Sequence, residues 1–458
     1  MTTSNATSLS GKKHPEPPLL CVPNELLHKI FTYLTPTEAA NFRRLNKRIA
    51  NIGVQYIVPV IFLALSEDSF DKFEAIAHHP EIRKYVSSMF FDATYVEAFD
   101  REHWEEAIYS LDMMLQRDAI PYTSPAERKA HFEALQTWDS RPHYECTNDQ
   151  LDGAFVEYQQ YIQKQSQLLR ADGYLRRIIQ ALENLPSLND ILLEIDGRRA
   201  VVGLKPWVAF KSGLCMEKTI RKDDYPAGQA EVHAILNSVC RAGLRLENFT
   251  CSLLSYSYFS DGLRDYASYS GSLIHLNSLG LVIHSMKDMY GFIECLSTGR
   301  VLRFLTLAPY LKSLRLGVFY GCFRSWDSLC NLEHFVGSFH WTLLAHVTIG
   351  NVGASEGFLK GFLDRHSSTL QSVVLHTLSL YDGKWMSMFR MMRSELRLHA
   401  VALHGYFMDD IGFFSFDTIQ SVVGESFRRN VQDYILRVTE DTQAIEAYLD
   451  HHTSPRNP

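Results

Sequence analysis

Residues 21–57 read CVPNELLHKIFTYLTPTEAANFRRLNKRIANIGVQYI, and the fold of this stretch sets how the chain is organised. Pro23 suits the first turn of a helix, where its missing N–H leaves no bond unmade. Leu26, Leu27, Ile30, Phe31 and Leu34 then form a broad apolar stripe, with Glu25, His28, Lys29 and Thr32 opposite. Thr35-Pro36-Thr37-Glu38 restarts the chain. Thr35 can cap a second helix, Pro36 fits its first position, and Glu38 can reach back as the capping-box partner. Phe42, Leu45, Ile49 and Ile52 supply the apolar face of that helix. The expectation is two short helices in about 30 residues, too small a unit to be stable alone. Such a unit packs on the rest of the chain or offers its apolar surface to another protein.

Upstream, residues 1–18 (MTTSNATSLSGKKHPEPP) are polar, end in prolines and lack an apolar segment, so they read as a disordered tail and not as a secretory signal. Downstream, Tyr56 to Leu65 is the longest apolar stretch, about half of the roughly 20 residues a membrane helix needs, and Pro59 interrupts it. The expectation is a soluble, intracellular protein. Hydrophobic residues make up 46% of the chain and charged ones 21%, a balance that supports a sizeable core. Lys plus Arg number 45 against 52 Asp plus Glu, a net charge of −7, which speaks against a chain whose main task is neutralising nucleic-acid phosphates. The 8 Cys lack a C-x-x-C spacing, unlike a zinc module or a disulfide scaffold, and a reducing compartment suits them.

From about residue 66 to 184 the pattern reads as mostly helical, with 103–115, 151–169 and 174–185 at helical spacing and an irregular stretch from Thr123 to Asn148. Beyond Pro186 the texture changes to an imperfect repeat, Leu-x-x-Leu-x-Leu or an aliphatic variant. Its members are Leu188/Ile191/Leu193, Leu276/Leu279/Leu281, Leu311/Leu314/Leu316, Leu344/Val347/Ile349, Leu370/Val373/Leu375 and Leu398/Val401/Leu403, with a degenerate unit expected around Leu244 to Phe249. Each unit supplies one short strand and a covering helix. One unit cannot bury its apolar face, but stacked neighbours build a continuous core. The competing reading is an ordinary α/β domain with a doubly wound parallel sheet. The recurring order of the Leu positions, with no Gly-rich nucleotide loop beside them, favours the repeat. The expected class is therefore α/β: a small helical unit over 19–65, a helical connector over 66–184, an irregular solenoid with parallel strands over 185–420, and a helical cap and tail over 421–458.

The run Val22-Pro23-x-Glu25-Leu26-Leu27-x-x-Ile30-Phe31-x-x-Leu34-x-Pro36, followed by Phe42-x-x-Leu45-Asn46-Lys47-Arg48, resembles an F-box without a gap. Val22, Ala39 and Ile49 depart from the usual Leu, Leu and aromatic residue, and none of the three adds a charge. With its helical connector and loose repeats, the chain as a whole is similar to fungal F-box proteins with degenerate leucine-rich repeats. The resemblance implies a substrate receptor of an SCF-type (Skp–cullin–F-box) ubiquitin ligase, cytoplasmic or nuclear, with no catalytic residue, cofactor or metal of its own. It would bind a Skp-family adaptor, and through it a cullin, using Val22, Pro23, Leu26, Leu27, Ile30, Phe31, Leu34, Phe42 and Leu45. The repeats would bind a target protein. A repeat scaffold without a ligase role is the alternative.

Other motifs carry less. Arg43, Arg44, Lys47 and Arg48 make the second helix basic, as in a DNA-reading helix pair, but they fit the solvated face of an amphipathic helix better. Gly350-Asn351-Val352-Gly353-Ala354-Ser355-Glu356-Gly357 lacks both phosphate-binding glycine signatures and reads as a strand-to-helix turn. His334, His340 and His346 recur at a spacing that suits a metal on neither a helix nor a strand. Strand alternation places Ser278, Ser313, Arg315, His346 and Thr348 on the concave face as candidate target-binding residues. Arg315 is the lone fixed charge among the strand positions read this way, and capture of a phosphorylated segment needs an Arg cluster. A folded or loop-bound target is expected instead.

Overall fold

Three short helices open the structure: α1 (Asn24–Phe31), α2 (Pro36–Phe42) and α3 (Lys47–Gly53). The capping box at Thr35 and Glu38 forms in full and starts α2 behind Pro36. The single second helix expected from the sequence is broken in two, because Asn46 adopts an extended backbone and its side chain accepts the Ile49 N–H to cap a new helix. The computed structural model describes residues 22–105, 107, 147–170, 173–195, 207–209, 215–217, 228–260, 266–285, 289–320, 330–410, 412–415, 422–437 and 454–455. The tail 1–18 and nearly all of the irregular stretch 123–148 lie outside these residues.

Nine parallel strands follow in one sheet: β1 (Val60–Ala64), β2 (Ser88–Asp92), β3 (Asp190–Glu194), then β6 (Asn248–Ser255), β7 (Ser278–Ser285), β8 (Ser313–Tyr320), β9 (His346–Ala354), β10 (Ser372–Leu380) and β11 (Ala400–Met408). Between β3 and β6 lies a separate antiparallel pair, β4 (Trp207–Ala209) and β5 (Cys215–Glu217). Each parallel strand pairs with the previous one, so the order never reverses and has none of the switch points of a doubly wound sheet. Register is kept across all nine strands over their first four residues, and slips beyond them between β6 and β7 and between β10 and β11. Ile61, Met89, Ile191, Phe249, Leu279, Leu314, Val347, Val373 and Val401 form one row, and Leu63, Phe91, Leu193, Cys251, Leu281, Leu316, Ile349, Leu375 and Leu403 form the next. Both rows are buried in one continuous core.

Backbone bonds repeat with the same step. The carbonyl just before a strand receives two N–H groups from the next unit: Pro59 from Ser87 and Ser88, Asn277 from Lys312 and Ser313, Gln371 from His399 and Ala400. Helices α4 (Glu67–His78), α5 (Asn148–Leu169), α6 (Gly173–Leu182), α7 (Gln229–Ala242), α8 (Met289–Ser297), α9 (Arg300–Thr306), α10 (Glu356–Arg365) and α11 (Trp385–Glu395) lie between the strands. Most turn apolar faces into the same core, as Phe70 of α4 does edge-on to Phe91. In contrast to the fully buried strands of a two-sided parallel sheet, residues on the other sheet face stay partly exposed over the first half of most strands.

The sheet starts earlier than expected. β1 falls inside the range assigned to the small helical unit, and β2 falls inside the connector expected to be helical. Their core triplets are Val58/Ile61/Leu63 and Val86/Met89/Phe91, and the degenerate unit resolves to Leu246/Phe249/Cys251. The glycine-containing run expected as a turn is mostly strand β9, with Ser355 capping α10 behind it. At the far end, β11 is edged by antiparallel β12 (Gly412–Ser415) and β13 (Ser454–Pro455), while α12 (Val422–Ile435) packs on α11. Arg393 reaches the Tyr434 carbonyl there, and its guanidinium lies 4.8 Å from the Tyr434 ring.

Candidate protein-binding surfaces

The three-helix unit has its own small core. Leu27, Phe31, Ala39 and Ile49 are buried at its centre, with Val22, Ile30, Leu34, Phe42, Ile52 and Tyr56 packed around them. Phe31 stacks on Tyr56 at 5.2 Å and meets Phe42 edge-on at 5.2 Å. Gly53 lies so close to the Phe31 ring that a Cβ there would overlap it. Arg48 donates to the Val22 carbonyl at 2.7 Å and to Asn24 Oδ1 at 2.6 Å, tying α3 to the start of α1. Arg43 donates to the Ala50 carbonyl at 2.8 Å. Two of the four basic residues are therefore spent inside the unit.

The structure divides the nine apolar positions singled out from the sequence. Leu27 and Phe31 are not surface residues; they are 0% and 1% exposed and hold the helices together. Val22, Ile30, Leu34 and Phe42 are half-buried against them. Pro23, Leu26 and Leu45 face solvent, Leu26 at 52% and Leu45 at 58%. Tyr33, which the sequence reading passed over, is 76% exposed in the turn just after α1 and follows Leu26 and Ile30 at the i, i+4, i+7 sequence spacing. The signal that finds it is that spacing. Exposed side chains of this size do not stabilise an isolated unit, and burial against a partner contributes roughly 1.5–3 kcal/mol for a full leucine.

The second surface is the partly open face of the sheet. Ser278, Ser313, Arg315 and Thr348 lie on it half-exposed, and His346 is exposed. Register puts Ser278, Ser313 and His346 in one row and Arg315 beside Thr348 in the next. The same face continues over strands the sequence reading left out, and there it carries carboxylates. Asp190 joins the Ser278 row from β3, and Asp92 and Glu194 sit four residues beyond the start of β2 and β3. Both are buried, Asp92 bonded to Thr94 and Glu194 to the Ser252 hydroxyl. Beside Asp92, burial and that carboxyl push the Tyr161 phenol up to about 12. Toward β11 the face carries His376 and His404, whose rings lie 6.2 Å apart.

Among the described residues, no group of His, Cys, Asp and Glu is arranged to hold a metal ion, and no helix is long and apolar enough to cross a membrane. A family model described as F-box domain matches residues 19–53, the span that contains α1, α2 and α3. No curated protein matches the chain. F-box domains generally bind adaptors of the Skp family.

Proposed function

We propose that this chain is a substrate-receptor subunit of an SCF-type ubiquitin ligase. The helical box docks a Skp-family adaptor, which connects it to a cullin, and the repeated sheet region holds a target protein. The observation that carries this reading is the F-box match over 19–53, joined to exposed Pro23, Leu26, Tyr33 and Leu45 on a box whose own core is already filled by Leu27 and Phe31. Nine strands with the same core positions, in sequential order, support reading 58–408 as degenerate leucine-rich repeats of the fungal F-box type. A receptor of this kind works by holding two proteins near each other. It needs no catalytic residue, and it acts in the cytoplasm or nucleus where the ligase resides.

Co-purification of the intact chain with a Skp-family adaptor tests the proposal. Retention of the adaptor, lost in Leu26→Asp because a carboxylate would be forced into an apolar interface, is the expected result. An intact, folded chain that fails to retain any such adaptor overturns it and leaves a protein-binding scaffold without a ligase role.

A further inference from the structure

The open sheet face changes chemistry along its length, and its box-proximal end is the more specific. Phe62 of β1 and Phe90 of β2 are register partners whose rings stack at 5.3 Å and 11°, and Leu192 of β3 continues their row. These side chains lie on the solvent side of a sheet whose core rows are complete without them. Phe62 is 45% exposed, and Phe90 and Leu192 are half-buried. One row below, Asp190 accepts from the Ser88 hydroxyl at 3.4 Å; two residues above, Asp92 and Glu194 face the same side. No Lys or Arg occupies the open-face positions of β1, β2, β3 or β6. From β7 to β11 the pattern inverts: Arg315, His346, His376 and His404 stand on that face with no carboxylate.

A half-exposed aromatic pair beside the half-buried Asp190 carboxyl is a poor way to stabilise a sheet and a good way to hold an apolar side chain that has a cation next to it. We infer that the open face of β1, β2 and β3 is the target-recognition site, and that its occupant is an extended protein segment with an aromatic or large aliphatic anchor flanked by Lys or Arg. The anchor rests on Phe62, Phe90 and Leu192, and the flanking cation pairs with Asp190. This deepens the receptor reading and rests on it: β1 follows the box directly, so a target held here sits at the end of the sheet next to the adaptor-binding unit.

The test uses the full chain and short fluorescent peptides with a Trp flanked by Lys, the same peptides with Glu flanks, and the same with Ala for Trp. The Lys-flanked Trp peptide is expected to bind best. Its affinity should fall about tenfold in Phe62→Ser and in the isosteric Asp190→Asn, a fall typical of losing one good interface contact. Leu343→Ser, at a site equally exposed at 45% but away from this row, should bind like the wild type. No binding, equal binding of Glu-flanked peptides, or unchanged affinity in Asp190→Asn overturns the inference. Adaptor retention is measured on the same preparations. A chain that keeps the adaptor but ignores the Lys-flanked peptide refutes this site alone, and one that binds the peptide but not the adaptor refutes the ligase reading alone.

Discussion

Acid should weaken this fold through His284, and the size of the effect follows from its surroundings. The residue sits in β7, paired in register with Ser255 on one side and Phe319 on the other. It is 6% exposed, and among the described residues neither ring nitrogen meets a hydrogen-bond partner. Burial alone pushes its imidazole from 6.5 down to about 4. The native state thus binds a proton less readily than the unfolded chain. The stability tied to His284 is fully present above 6.5 and is lost as pH falls through the window down to about 4. Within that window each pH unit removes about 1.4 kcal/mol, so about 2 kcal/mol is gone near pH 5 and about 3 kcal/mol by its lower end. His284→Leu, similar in volume, removes the proton site. Urea unfolding of both proteins at pH 7.5 and pH 5 measures the difference. The variant should gain about 2 kcal/mol on the wild type between those two conditions. His366, whose imidazole is also lowered by burial, is present in both proteins and cancels. A wild-type-minus-variant difference that stays the same at both pH values refutes the reasoning.

Two further substitutions probe the scaffold. Arg177 of α6 reaches Glu67, Asp71 and Glu74 of α4 at 2.6–2.7 Å and lies over Phe70; Arg177→Met should cost about 2 kcal/mol, less in high salt because two of the three carboxylates are well exposed, as read by chemical unfolding at two ionic strengths. Gly383 holds φ +81° where a Cβ would overlap the Glu356 side chain, so Gly383→Ala should lower stability by at least about 1 kcal/mol, and a thermal melt no lower than wild type would contradict it.

The repeat was legible where its core positions are Leu, Ile or Val and a helix-like stretch follows, as at Leu311/Leu314/Leu316. It was illegible where chemistry departs from that alphabet. Val86/Met89/Phe91 uses residues that suit a helix as well as a strand, and Val58/Ile61/Leu63 hides in an apolar run broken by Pro59. Missing those two strands also hid Phe62, Phe90 and Asp92; leaving β3 out of the face hid Asp190 and Glu194. In the box, helical periodicity located the apolar stripe but not how it divides. A stripe wider than about 100° has two edges, and it is packing with Ala39, Phe42, Ile49 and Tyr56 that takes Leu27 and Phe31 inward while Leu26 stays in water. Asn46 belongs to the box motif, yet its power to break the second helix depends on a backbone conformation that propensity alone does not dictate.

The central claim is that the exposed leucines of the box exist for a partner, and a binding isotherm between the full chain and a Skp-family adaptor tests it most directly. Leu26→Ala should weaken binding by about tenfold, since burying the exposed half of that side chain is worth about 1–2 kcal/mol, and Leu26→Asp should weaken it further. Both variants should unfold at the wild-type urea concentration, because Leu26 is 52% exposed and lies outside the buried core of the box. An adaptor affinity that is absent in the wild type, or unchanged in Leu26→Asp, would contradict the account.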